Sequence, residues 1–129
     1  MIKLNIKTTS KVEIIDITKH VKSVVNKLNK KDGIILIYVP HTTAAITINE
    51  NYDPMVGYDI LNILDKIAPN NLNYKHLEGN APAHIKASLI GSSVMLILEN
   101  GEIKMGKWQG ILFFEFDGPR NREIWIKVI

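Results

Sequence analysis

Two pairs of apolar strands joined by very short turns set the strongest limit on the fold of this chain. Val94–Leu98 and Ile103–Met105 flank Asn100-Gly101, the dipeptide best suited to a type I′ hairpin. Ile111–Phe116 and Glu123–Ile129 flank a second turn, Asp117-Gly118-Pro119-Arg120. Strands joined this tightly run antiparallel, because a parallel pair needs a crossover of roughly a dozen residues or more. The last strand adds a constraint of its own. Ile124, Ile126 and Val128 form one face, while Trp125 and Ile129 lie on the other with only Lys127 polar between them. Such a strand is either sandwiched between layers or covered by another subunit.

The first two thirds of the chain supply the remaining elements. Ile2, Leu4 and Ile6 alternate with polar residues, the pattern of a half-buried strand, and Val12–Ile15 reads as a second. Thr18 is expected to cap a helix carrying Val21, Val24, Val25 and Leu28, with Ile17 as its hydrophobic staple. Ile34–Val39 is apolar on both faces, as in a central strand, and ends at Pro40; Ala44–Asn49 resumes in β-branched residues. Asp53-Pro54 opens a second helix, which runs to Pro69, and Pro82 opens a third, which stops at Gly91. The order of elements suits a single α+β domain over residues 1–129, largely antiparallel, with a few helices.

The composition is that of a globular protein: 46% hydrophobic, 22% charged, net charge +3. The lysines concentrate in the first third without long runs, so nucleic acid is not expected as a partner. The absence of cysteine excludes disulfides, thiol nucleophiles and cysteine metal sites. The start, MIKLNIKTTS, alternates where a signal peptide would be continuously apolar, and no stretch reaches membrane-spanning length. A cytoplasmic protein without membrane contact is expected.

Against this scaffold stand polar clusters that a core does not need: HTT, NENYDP, YKHLEGNAPAH, GKWQG and EFDGPRNR. Function gathers on loops held by rigid elements. His41, His76 and His84 could together hold a divalent cation, zinc or magnesium, with one position left open. Without metal, the same histidines can act as acid or base, oriented by Glu50, Glu78 or Asp117. Asp53 is accounted for by its helix-capping role. Arg120 and Arg122 would point the same way if the last strand has begun, two forks suited to phosphate or diphosphate; the alternative is an Arg120–Asp117 ion pair that only fixes the turn. Asn80 opens a helix whose free N–H groups favour anions. Trp108 and Gln109, between two glycines, could meet a flat ring. Nucleophile-elbow, phosphate-loop and dinucleotide-binding patterns are missing.

Taken in order, HTTAAITINENYDP, YKHLEGNAPAHIKASLIGSS, GKWQGI and EFDGPRNR resemble the YjbQ-type proteins, a family described as secondary thiamine-phosphate synthases. The likeness runs from His41 to the C-terminus. Lys107 stands where that family usually has threonine, and Tyr52 where a small residue is common. The resemblance implies an α+β homotrimer with sites near subunit boundaries. It also implies a secondary activity that joins hydroxymethylpyrimidine diphosphate to thiazole phosphate and releases diphosphate. The matching positions are His41, Thr42, Thr43, Asn49, Glu50, Asp53, His76, Glu78, Gly79, Asn80, His84, Trp108, Gln109, Asp117 and Arg120. Within that chemistry His41, Glu50, His76, Glu78, His84 and Asp117 are the candidate catalytic groups. Thr42, Thr43, Asn49, Asn80, Trp108, Gln109, Arg120 and Arg122 would contact substrate. The competing expectations are a metal-dependent hydrolase of a phosphorylated small molecule and a non-catalytic trimer that binds a small molecule or ion.

Overall fold

The computed structural model describes residues 1–129. In chain order the elements are β1 (Ile2–Lys7), β2 (Glu13–Asp16), α1 (Thr18–Lys27), β3 (Gly33–Tyr38), β4 (Ala44–Glu50), α2 (Pro54–Ile67), α3 (Ala81–Ile90), β5 (Ser93–Glu99), β6 (Glu102–Lys104), β7 (Gln109–Glu115) and β8 (Asn121–Val128). Every strand pairing is antiparallel. Five strands form one sheet in the order β1-β8-β3-β5-β6, and three form the other in the order β2-β7-β4. The α+β, largely antiparallel architecture read from the sequence is the one observed. No helix is long and apolar enough to cross a membrane.

Alternation along the strands creates two apolar layers. Ile35 and Ile37 of β3, Ile124 and Ile126 of β8, and Leu96 and Leu98 of β5 point into the space between the sheets, where they meet Ile46, Ile111, Phe113 and, from α1, Val21 and Val25. The next residues along β4 and β7 face the other way. Ala45, Leu112 and Phe114 pack there beneath Leu64 of α2 and Ala83 and Ala87 of α3. β7 is therefore buried on both sides, which explains its unbroken apolar run.

The opposite face of the five-stranded sheet has no cover within the chain. Ile34, Met95, Ile97 and Ile129 stand exposed there, Met95 and Ile97 at 67% and 61%. The apolar second face of the last strand thus meets solvent in one copy instead of a packed layer.

Two local readings resolve differently. At Asn100-Gly101 both residues take positive φ, 52° and 77°, as a type I′ turn requires, and Glu99 pairs with Glu102 across it. Thr18, in contrast, is not the N-cap of α1. That position belongs to Ile17, and Asp16 accepts hydrogen bonds from the Thr18 N–H and hydroxyl. Ile111 donates its N–H to the same hydroxyl, so Thr18 ties the helix start to β7.

The β7–β8 turn depends on a missing side chain. A Cβ on Gly118 would press on the Ser10 carbonyl oxygen and lie 2.8 Å from Glu115 Cγ. We expect Gly118→Ala to cost about 1–3 kcal/mol in a denaturant titration, because backbone must move. Gly79→Ala serves as the control: φ is +81° but the space is open, so only the conformational cost of about 1 kcal/mol remains. Equal losses at the two positions would contradict the packing described.

Candidate functional site

The chain crosses from one sheet to the other three times at one end of the molecule, after β1, after β3 and after β7. Backbone hydrogen bonds lace these crossings together: Phe116 N–H to Thr43 C=O, Gly118 N–H to Lys11 C=O, and Thr8 N–H to Arg120 C=O. Their common anchor is an ion pair. Glu115 is the inward residue at the end of β7 and Arg122 the first inward residue of β8, and both side chains are buried. Glu115 receives Arg122 Nε at 2.7 Å, Arg122 Nη2, the Thr8 hydroxyl at 3.0 Å and the Asp117 N–H at 2.9 Å. Arg122 Nη2 also reaches the Thr43 hydroxyl at 2.9 Å. Burial alone would raise the Glu115 carboxyl, but Arg122, the Asp117 N–H and Thr8 together hold it below the ordinary 4.5. The Nη1 of Arg122 makes no hydrogen bond within the chain.

His41 repairs a gap in the large sheet. On the β3–β8 register, Pro40 would face Glu123, yet proline has no N–H and pairing stops at Tyr38–Trp125. The His41 side chain takes the vacant place, its Nε2 accepting the Glu123 N–H at 2.9 Å. The same nitrogen lies 3.2 Å from the Glu123 carbonyl oxygen, so Nε2 meets both main-chain groups of Glu123: it accepts from the N–H when unprotonated and donates to the carbonyl when protonated. Burial, and then the Arg122 charge, push His41 below the ordinary 6.5.

A second network lies beside the first. Asp117 accepts Asn80 Nδ2 at 2.9 Å and Arg120 Nη2 at 3.0 Å, while Arg120 Nε donates to the Asp117 carbonyl. Burial raises Asp117, but Asn80 and Arg120 outweigh it and keep the group below the ordinary 3.8. Arg120 thus keeps its ion pair and still borders the cavity described next.

That cavity holds about 550 Å³. His41, Thr42, Thr43, Glu78, Asn80, His84, Arg120 and Arg122 line it, together with Tyr38, Pro40 and Trp125. The rings of Tyr38 and Trp125 stand 5.8 Å apart and tilted, an aromatic wall. Sequence reasoning missed this wall, together with Glu115 and Thr8. Glu115 had a signal: one acid inside the apolar run ILFFEF must be paired if the strand is buried.

Other expected residues fall elsewhere. Glu50 accepts the Asp53 N–H, and Asp53 caps α2 through the Met55 N–H, so both serve that helix start. Asn49 accepts the Glu50 N–H. Gln109 clamps its own turn through the Gly106 N–H. Trp108, half exposed, stacks edge-on against Tyr52 rather than facing the cavity. His76 packs its ring 5.0 Å from His84 but lines a neighbouring hollow with Tyr74 and Ile85. The three-histidine cation site does not form within one chain: no group of three His, Cys, Asp or Glu is placed to hold a metal, and His41 Nε2 is committed to Glu123. Within one chain the donors brought together do not fit zinc or magnesium.

The YjbQ-like UPF0047 family model matches residues 2–129. A UPF0047 protein of Methanocaldococcus jannaschii is 53% identical over 129 residues, covering 100% of this chain and 94% of that protein. YugU of Bacillus subtilis is 49% identical, covering 98% and 96%. A crystal structure of a YjbQ/UPF0047-family protein from Clostridium acetobutylicum superposes with a TM-score of 0.97 at 53% identity, covering 100% of both chains. The chain belongs to the UPF0047 family.

Two expectations follow from the buried pair. Glu115→Ala leaves Arg122 charged and unpaired, so we expect a loss of about 3–5 kcal/mol in unfolding free energy. His41, Glu115 and Asp117 all bind protons more weakly when folded. Their stabilisation is complete above their ordinary values and fades as pH falls through the lower folded ones. The melting temperature should therefore begin to drop below pH 6.5 and drop further below pH 4.5. His41→Gln should remove the first step and leave the second; a first step that survives in this variant would show that His41 does not cause it.

Proposed function

We propose that this UPF0047 family member uses the cavity to bind a phosphorylated small molecule with a flat ring. Its reaction displaces diphosphate from that substrate, as in joining hydroxymethylpyrimidine diphosphate to thiazole phosphate. One observation carries the reading: a single cavity pairs the donors of Arg120, Arg122, Thr42 and Thr43 with the aromatic wall of Tyr38 and Trp125. Guanidinium forks and hydroxyls suit phosphate oxygens, and tilted rings suit a planar heterocycle.

In the step itself, the thiazole nitrogen lone pair forms a bond to the pyrimidine methylene carbon. The carbon–oxygen bond to diphosphate breaks, and the leaving group takes its electrons. Negative charge grows on the diphosphate oxygens, where Arg120 and the free edge of Arg122 stabilise it in a site partly shielded from water. His84 stands beside the cavity as a group able to hold a proton near those oxygens. No step runs through a metal ion, and the hydrolase alternative loses the three-histidine centre on which it relied.

The assembly we propose is a homotrimer in which another copy covers the open face of the five-stranded sheet. The exposed Ile34, Met95, Ile97 and Ile129 support it, since a patch of this kind is unusual on a protein that stays monomeric.

Purified chain given both substrates should form thiamine phosphate and diphosphate, and neither substrate alone should react. Arg120→Ala should raise KM for the diphosphate substrate about tenfold or more, the worth of a charge-assisted hydrogen bond. Diphosphate release without thiazole phosphate would instead mean hydrolysis, and tight binding without turnover would mean a binding protein. By light scattering the native chain should weigh three times its 14.6 kDa, and Ile97→Asp should reduce it to one. A monomeric native chain would contradict the assembly.

A further inference from the structure

Thr8 touches the mounts of both arginines. It lies in the crossing after β1 and is 2% exposed. Its N–H donates to the Arg120 carbonyl at 2.9 Å, and its Oγ1 accepts the Arg120 N–H at 2.8 Å. The same Oγ1 lies 3.0 Å from Glu115 Oε2, the oxygen that receives Arg122 Nε at 2.7 Å. One hydroxyl oxygen therefore stands between the carboxylate that holds Arg122 and the peptide that carries Arg120.

The direction of these bonds is fixed. A threonine hydroxyl has one proton. The Arg120 carbonyl, 3.1 Å away, already has the Thr8 N–H, whereas Oε2 is charged, so the proton goes to the carboxylate. The lone pair that remains takes the Arg120 N–H. There is no slack around the hydroxyl, because a Cβ on Gly118 would lie 2.9 Å from it. The side chains are held as firmly as the mounts. Nε and Nη2 of Arg120 donate to Asp117, and Nε and Nη2 of Arg122 donate to Glu115 and Thr43. Each guanidinium keeps its Nη1 without a hydrogen bond in the chain, and both residues line the cavity.

We infer that Thr8 sets the separation of the two guanidinium groups, and that this separation selects adjacent phosphoryl groups, as in a diphosphate, over two anionic groups held further apart. Thr8 is a positioning residue, acting through Arg120 and Glu115 without touching the ligand. Binding at one arginine tethers the second anionic group at the ligand's own span, so the other arginine adds affinity only where that span matches. Charge alone would accept either spacing. The inference rests on the reading of the cavity as a diphosphate site, and the test keeps the two apart.

Methylenediphosphonate and butane-1,4-diphosphonate are inert probes that carry the same two anionic groups and differ in the distance between them. Calorimetry on the native chain should give the methylene compound about tenfold tighter binding, the worth of a charge-assisted hydrogen bond to the second phosphonate. In Thr8→Val, which keeps the shape and loses the hydroxyl, the ratio should fall to within about threefold, and Thr8→Ser should keep it near the native value. A role in stability alone would lower the melting temperature of Thr8→Val and leave the ratio as it was. Thr8→Ala, in which a water can bridge Glu115 and the Arg120 N–H, decides by the same ratio if Thr8→Val proves unstable. Equal binding of both probes to the native chain, a preference for the butane compound, or a preference that persists without the hydroxyl or vanishes in Thr8→Ser overturns the inference and leaves the phosphate reading intact. Failure of both probes to bind overturns both.

Discussion

The buried pair of Glu115 and Arg122 is the constraint from which the functional end of this molecule follows. Two charges in the space between the sheets are tolerated only because the carboxylate accepts four hydrogen bonds and the guanidinium has partners on two crossings. One strand ends in Glu115 and the next begins near Arg122, so the pair fixes the angle at which the chain changes sheets. Thr8 and Thr43 extend the same network to the crossings after β1 and β3. Replacing the pair by apolar side chains would fill the space without specifying where these three segments lie.

That placement determines what the cavity contains. The crossing after β3 delivers Thr42, Thr43 and His41, and the one after β7 delivers Arg120 and, through Asp117, the orientation of Asn80. His41 is held by a main-chain group that Pro40 leaves unpaired. The aromatic wall is itself a by-product of sheet pairing, because Tyr38 and Trp125 are opposed residues on the outer face of β3 and β8. A cation-rich rim and a flat apolar wall therefore share one cavity for reasons of strand register, with no separate motif for either.

The fold was legible because its signals are local. Asn100-Gly101 announces its turn, the alternation of Ile2, Leu4 and Ile6 its face, and Asp53-Pro54 its helix start. The site was legible only in part. His41, Asn80, His84 and the two arginines belong to conspicuous polar clusters, and the structure sets them around one cavity. GKWQG and NENYDP are equally conspicuous, yet Gln109, Glu50 and Asp53 spend their polar groups on their own turns and helix start. A local pattern does not distinguish a polar residue that holds a turn from one that faces a ligand. Glu115, Tyr38 and Trp125 were missed for the opposite reason: they sit inside apolar strands and acquire meaning only from partners distant in the chain. Thr18 shows the same limit at a helix start, where its hydroxyl serves β7 as well as the cap region.

The most direct test of the central claim is a crystal structure of the native chain with inorganic diphosphate. We expect the anion against Arg120 and the free Nη1 of Arg122, near Thr42 and Thr43, with Tyr38 and Trp125 beside it and the Glu115 pair unbroken. Diphosphate bound instead in the hollow beside His76 or on the lysine-bearing surface of α1, with this cavity empty of it, would contradict the claim.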